Sequence, residues 1–501
     1  MTTAGDTPHA RGLRLEVPIT FSAATLADVD ASATVIAEPV RRLRTTHWDT
    51  ADLRLARWRV ALEHSAETGW VLHLPATSEG MTAPDGAELH FEGDAGGPPD
   101  EVLHLVRAYA RHAPVELVAR LVTLTSDTVL LDDVGSQLAR LVDATVSVYS
   151  GPRITQRFRE IDLLSESEPL LEMLASRFAA AGAQPASPRS LVARALGLVG
   201  SPPPEIVPVT LGASATAGDV VRRALSTSVT RLIRHDPGVR LGIDAEDVHQ
   251  ARVATRRLRS DLRTFKPLLD GEWADSLRDE LSWLGAELGR VRDAEVQRDR
   301  LRAAAATLPT LDRRSAAAVV APLVAQVRSA RRHLLSAMET DRYLEVIDHL
   351  VAAARAPALT ADAASPAHEV LPALVRRPWR SLRSGAIAAR SGASDEQLHD
   401  LRIRAKRCRY AAEAAAAATG KRAASFAKEV AALQEVLGEL HDAVVAEQWL
   451  RARSQAPRIH ETALFATGEL VALQRDAAEG ARAGWPDVWK RVQDRWTHAW
   501  R

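Results

Sequence analysis

VHQARVATRRLR (residues 248–259) and LHDLRIRAKRCR (residues 398–409) read as one helix written twice. At an offset of 150, His249 aligns with His399, Arg252 with Arg402, Arg256 with Lys406, Arg257 with Arg407 and Arg259 with Arg409. A second block, LGRVRDA (residues 288–294) against LGELHDA (residues 437–443), recurs at an offset of 149. Two blocks that keep their spacing imply duplication of a whole helical unit rather than a chance match.

At about 100° of turn per residue, His249, Arg252, Arg256, Arg259 and Arg263 fall within an arc of roughly 80°. His399, Arg402, Lys406 and Arg409 do the same in the second copy. Beside each basic stripe runs an apolar one: Val248, Ala251, Thr255, Leu258 and Leu262 in the first, Leu398, Leu401, Ala405, Cys408 and Ala412 in the second. Like charges three and four residues apart weaken a helix by a few tenths of a kcal/mol per pair. An unfavourable pattern repeated twice, with a histidine at its head each time, points to an external anion as counter-charge. Arginine suits phosphate because its planar fork donates to two oxygens at once.

Outward from these helices the chain divides. From about residue 216 the spacing is helical almost throughout, with candidate helices at 216–235, 245–270, 272–305, 313–355, 366–391, 394–418, 421–454 and near 485–500. Asp219, Asp244 and Ser394 or Asp395 are the expected N-caps. Residues 1–182 read instead as short strands bounded by Gly, Pro and Asp, with helices at 100–111 and 168–181. Between them, residues 183–212 are rich in Pro, Gly and Ser, and Ser201-Pro202-Pro203-Pro204 suits neither a helix nor a central strand. The expected class is α+β in two domains, an antiparallel sheet at 1–182 and a duplicated all-α bundle at 213–501, joined by a linker.

Charge follows the same division. The whole chain balances at zero, but residues 1–200 hold 18 Arg, no Lys and 26 carboxylates, a net −8 that leaves +8 for the rest. The single cysteine, Cys408, excludes a disulfide framework or a multi-cysteine metal site. No apolar run reaches bilayer-spanning length, and residues 1–16 show no signal-peptide core. The expected setting is the cytoplasm. Few aromatics flank the basic stripes and no base-reading motif occurs, which disfavours nucleic acid as the partner.

The paired HxxRxxxRxxR-type helices resemble the CHAD domain, the conserved-histidine α-helical domain, over roughly residues 216–500. The resemblance implies two pseudo-symmetric helical halves around a basic cleft that binds inorganic polyphosphate, and some members associate with polyphosphate granules. It implies His249, Arg252, Arg256, Arg259, His399, Arg402, Lys406 and Arg409 as binding residues, with Arg257, Arg263 and Arg407 secondary. Arg331, Arg332, Arg376, Arg377, Arg380, Lys421, Arg422 and Lys428 are further candidates on adjoining helices.

HWDTADLRLARWRVAL (residues 47–62), GWVLHLP (69–75) and FREIDL (158–163) resemble a CYTH domain of the triphosphate tunnel metalloenzyme type. That family implies an antiparallel eight-stranded tunnel, with an N-terminal ExExK supplying carboxylates for a metal and a lysine for phosphate. Here Glu16 keeps the first glutamate position, but Pro18 stands at the second and Thr20 at the lysine. Leu62-Glu63-His64-Ser65 replaces an arginine-rich strand, His73 replaces a lysine, and the first lysine of the chain is Lys266. Glu16, Glu160 and Asp162 are the candidate metal ligands. Triphosphate hydrolysis needs cations on the transition state, so the expectation is a retained scaffold with no catalytic residues and no cofactor. The rival reading is a triphosphatase or polyphosphatase using Mg²⁺ or Mn²⁺ in the tunnel, with the helical domain capturing substrate.

Overall fold

The computed structural model describes residues 11–21, 34–76, 86–186, 191–198, 202–207, 209–389, 392–455 and 461–499. The signal-peptide reading of the first ten residues, and parts of the 183–212 stretch including Ser201, lie outside them. The chain forms two compact units, Met1–Glu205 and Ile206–Arg501.

The first unit is built on one antiparallel sheet. Its strands are β1 (Arg11–Val17), β2 (Thr34–Ala37), β3 (Arg41–Asp49), β4 (Ala61–Ser65), β5 (Gly69–His73), β6 (Glu88–Phe91), β7 (Glu116–Leu131), β8 (Gln137–Ser150), β9 (Arg153–Ser165) and β10 (Gln184–Pro185). They lie in the order β10-β1-β9-β8-β7-β3-β4-β5-β6, with β2 on β7. Four helices accompany them: α1 (Arg54–Arg57), α2 (Asp100–Ala110), α3 (Glu168–Ala180) and α4 (Leu191–Ala195). This arrangement is consistent with the tunnel-type fold that the resemblance implies. Strand alternation sends Leu15 and Val17 of β1 and Ile161 and Leu163 of β9 into a core closed by Leu171, Leu174 and Phe178 of α3. The intervening residues, Arg14, Glu16, Glu160 and Asp162, face the other way. β1 stops at Val17 because Pro18 has no N–H for the ladder; Pro18 instead accepts a turn hydrogen bond from Phe21 N. The 183–212 stretch supplies β10, α4 and Glu205, whose buried carboxylate takes Arg111 Nη1 at 3.0 Å and Trp58 Nε1 at 2.7 Å.

The second unit is helical: α5 (Ala217–Leu241), α6 (Ala245–Thr264), α7 (Gly271–Thr307), α8 (Thr310–Val320), α9 (Pro322–Met338), α10 (Asp341–Arg355), α11 (Ala367–Ala388), α12 (Asp395–Thr419), α13 (Lys421–Ser454) and α14 (Glu461–Ala499). α6 packs between α5 and α7, α12 packs between α11 and α13, and α6 and α12 pack on each other. The duplicated sequence therefore becomes two three-helix sets related through the motif helices. Both predicted apolar stripes are buried, with Val248, Leu258, Leu262, Leu398, Leu401 and Cys408 at most 1 % exposed. Each buried Leu or Val contributes about 2 kcal/mol relative to exposure.

Several local expectations are corrected. The 313–355 helix is three helices, interrupted where Pro322 starts α9 and where Thr340 caps α10. The final helix is much longer than 485–500, running unbroken through Pro486. Asp219 is not the cap of α5; it is the N3 partner in a capping box whose N-cap is Thr216. Asp244 and Ser394 do cap α6 and α12.

Candidate functional site

α6, α7, α12 and α13 enclose a cavity of about 440 Å³. α6 supplies His249, Arg252 and Arg256; α12 supplies Arg402 and Lys406. α7 adds Arg292, Asp293, Gln297 and Arg300, and α13 adds His441 and Asp442. The first repeat block provides one wall in each half, and the second block provides the facing wall.

The two halves are built alike up to a point. Arg252 Nη2 donates to Asp293 Oδ1 at 2.9 Å, and Arg402 Nη2 lies 3.9 Å from the aligned Asp442. Each arginine crosses the glycine of the second block. A Cβ on Gly289 would lie 2.3 Å from Arg252 Nη1, whereas one on Gly438 would lie 3.8 Å from Arg402 Nε. The aligned pair Arg256 and Lys406 has no salt-bridge partner among the described residues. Arg256 Nε, Arg402 Nε and Gln297 Nε2 are buried donors without an acceptor. Buried donors are normally satisfied, and each orphan costs about 1–3 kcal/mol.

Mutual repulsion and burial shift the ionisable groups of the cavity. Burial, with Arg402, Arg256 and Arg252 nearby, pushes Lys406 down to about 7. Burial, Arg402 and His399 push His441 down to about 4. Burial and Arg292 lower His249 as well. Burial likewise disfavours the charge on Arg252 and Arg402, though an arginine stays protonated across the ordinary pH range. The cavity is thus a concentration of positive charge held partly out of water.

The other candidate residues sit elsewhere. His399 lies behind the wall, its Nδ1 3.0 Å from His441 Nδ1, so one ring donates and the other accepts. Arg257 Nη1 and Arg409 Nε both donate to Glu413, each at 2.6 Å. That carboxylate ties α6 to α12 and is aligned with Arg263, so the duplicated basic stripe is broken at its last turn. Arg259, Arg263 and Arg407 lie outside the cavity lining, and Arg263 is disfavoured as a cation by burial and by Arg407, Arg278 and Arg259. Of the adjoining candidates, Arg331 donates to the carbonyls of Val239 and Arg240 at the end of α5, at 2.7 and 3.0 Å. Gly242 follows at φ 67°, in the left-handed region that suits a glycine at a helix end. Arg332, Arg376, Arg377, Arg380, Lys421, Arg422 and Lys428 do not line the cavity either. Arg292, Gln297, Arg300 and His441 were not anticipated. Arg292 and His441 occupy one aligned position of the second block, which was the available signal.

In the first unit the three candidate metal ligands are already engaged. Arg194 forms ion pairs with Glu16 at 3.1 Å and, more closely, with Glu160. Asp162 accepts from Arg14 Nε at 2.6 Å and Nη2 at 3.0 Å. His73 faces Glu63 at 3.4 Å, and burial aside, that carboxylate raises its pKa. No group of three metal-ligating side chains occurs among the described residues. These residues do not fit a divalent cation. Nor is any helix among the described residues long and apolar enough to cross a membrane.

The family model for the CHAD domain matches residues 223–451. An uncharacterized protein of Mycobacterium tuberculosis, present in two strains, is 33% identical over 479 residues, covering 89% of this chain and 88% of its own length. Among solved structures, PptA from Streptomyces chartreusis is similar at 26% identity and a TM-score of 0.45, with 55% of this chain and all of that chain covered. The CHAD domain from the plant Ricinus communis is similar at 27% identity and a TM-score of 0.44, over 56% of this chain and 96% of that one.

Proposed function

The chain belongs to the CHAD domain family, and we propose that its helical unit binds inorganic polyphosphate in the cavity between α6, α7, α12 and α13 without turning it over. One observation carries this reading: Arg256 and Lys406 face the same cavity from two halves, with no salt bridge to either among the described residues and with unfilled buried donors beside them. A polyanion supplies acceptors for those donors and charge for both cations. A linear chain of phosphates also suits a pair of repeated walls, since each half can engage successive units. The proposed site comprises His249, Arg252, Arg256, Arg292, Arg402, Lys406 and His441, with Arg257 and Arg409 holding the motif helices together through Glu413. Association with polyphosphate granules follows from such affinity. The sheet unit is proposed as a scaffold, because its candidate metal ligands Glu16, Glu160 and Asp162 are held by Arg194 and Arg14.

The test is a titration of the full chain with long-chain polyphosphate, tripolyphosphate and duplex DNA at several salt concentrations. Each phosphate engaged releases counterions, so log affinity falls with log salt by about 0.9 per contact for duplex DNA, with a similar scale here. Polyphosphate binding with a slope of about 3 or steeper, and tighter than DNA at equal phosphate, supports the reading. Tighter binding of DNA overturns it.

A further inference from the structure

Arg194 of the sheet unit is a strongly buried cation that meets two glutamates. Its side chain is 3 % exposed, beside 12 % for Glu160 and 36 % for Glu16. Glu16 and Glu160 are direct partners in the antiparallel register of β1 and β9. Like charges placed opposite each other across two strands are destabilising, and burial sharpens the repulsion. Arg194 reaches in from α4 and resolves it. One fork nitrogen meets Glu160 and the other meets Glu16, while the guanidinium carbon stacks 3.8 Å from the centre of the Phe158 ring. Its neighbours Ala193 and Ala195 are buried with it. The arrangement has a charge-assisted hydrogen bond to Glu160, an ion pair to Glu16 and an aromatic face below. It is a built cation site whose cation is covalently part of the chain.

The surrounding charges are matched in the same manner. Arg14 takes Asp162, Arg159 Nε donates to Asp143 at 2.8 Å, and Arg41 donates to Asp127 at 2.9 Å. Among the described residues no third metal-ligating side chain joins Glu16 and Glu160, and residues 1–205 contain no lysine to draw phosphate inward.

We propose that Arg194 is the resident cation of the Glu16–Glu160 pair, standing where a divalent metal would otherwise sit, so that the sheet unit is closed to metal by its own α4. A guanidinium differs from a metal ion in one decisive respect. It neutralises the carboxylates but, with its fork turned to Glu160 and Glu16, offers no open coordination position, so it cannot bind a water and lower its pKa as a metal does. Its charge is permanent across the physiological range, so the closure does not depend on pH. The inference stands apart from the polyphosphate reading, which concerns the other unit.

Mn²⁺ alone is the probe, followed by electron paramagnetic resonance on the full chain, with thermal unfolding measured in parallel. Wild type is expected to show no saturable Mn²⁺ site that depends on Glu16 or Glu160. Arg194→Ala is expected to gain one, and Arg194→Ala/Glu160→Gln to lose it again. Arg194→Lys, which keeps a cation in place, is expected to gain none. If Arg194→Ala does not fold, the wild-type arm still decides: Mn²⁺ binding that is abolished by Glu16→Gln overturns the proposal. A folded Arg194→Ala that gains no Mn²⁺ overturns it equally.

Discussion

Gly289→Ala and Gly438→Ala separate positioning of the cavity arginines from stability of the helices that carry them. Both glycines lie inside long helices, where alanine is favoured by about 1 kcal/mol per position. At Gly438 the new methyl would meet only Arg402 Nε at 3.8 Å, an ordinary contact. At Gly289 it would lie 2.3 Å from Arg252 Nη1, while ordinary contact begins at 3.4 Å. The guanidinium must therefore retreat by about 1 Å, enough to break hydrogen-bond geometry. The obstacle is the end of a flexible side chain, so folding accommodates it. The loss falls on Arg252: its bond to Asp293, worth little at an exposed carboxylate, and its donation to a bound phosphate. A hydrogen bond to a charged group contributes about 2 kcal/mol, which is about thirtyfold in affinity. Urea unfolding should show Gly438→Ala stabilised by about 1 kcal/mol and Gly289→Ala stabilised by no more than that. A polyphosphate titration should show Gly438→Ala unchanged and Gly289→Ala weakened by one to two orders of magnitude, on the scale of that one bond. Equal affinities for the two variants would refute the placement of Arg252.

Two further outcomes follow from the site. A bound polyanion raises the pKa of Lys406 from about 7, so affinity is greatest below pH 7 and falls by up to about tenfold per unit as pH rises toward the bound value. Lys406→Arg keeps its charge throughout and should flatten that profile, while His249 and His441, both held below their usual value, add nothing above neutrality; an unchanged profile in Lys406→Arg sinks the assignment. Glu413→Gln removes the carboxylate charge that Arg257 and Arg409 share, leaving Arg257 only the more distant Asp261, and should lower stability by about 1–2 kcal/mol, discounted for partial exposure, with a smaller effect on polyphosphate affinity at saturating folded protein; a selective loss of binding at unchanged stability contradicts the structural role given to those arginines.

The duplicated blocks made the helical unit legible because periodicity reports burial directly: the stripe from Val248 to Leu262 is the core face of α6. The basic stripe was less transparent. Helical angle groups Arg252 with Arg259 and Arg409, but only packing decides which of them meets α7 or α13 and which meets Glu413. That carboxylate sits at the position of Arg263 in the other repeat, so the break in symmetry was present as a mismatch. Arg292 and His441 lay in the second block, yet nothing local distinguishes a cavity-facing arginine from a solvated one. In the sheet unit, alternation puts Glu160 and Asp162 on one side of β9, and the register of β1 sets Glu16 opposite Glu160. The partner of Glu16 and Glu160, Arg194, lies some 30 residues beyond β9 in sequence, in a segment whose Pro and Ser content reads as linker. Long-range ion pairing of that kind has no sequence period. The final helix runs from Glu461 through Gly480, Gly484 and Pro486, where the buried Trp485, Trp489 and Val492 pack on the bundle.

The most direct test of the account is the polyphosphate affinity of Arg256→Met/Lys406→Met in the full chain. Both substitutions keep an unbranched, largely apolar stem and remove a cation that forms no salt bridge among the described residues. Because each cation disfavours the other, the double variant should unfold at the same temperature as wild type or higher. Two lost charge-assisted contacts of about 2 kcal/mol each should weaken polyphosphate binding by a hundredfold or more, with a shallower salt dependence. A folded double variant that binds polyphosphate as tightly as wild type, with the same salt slope, would contradict the claim that this cavity is the binding site.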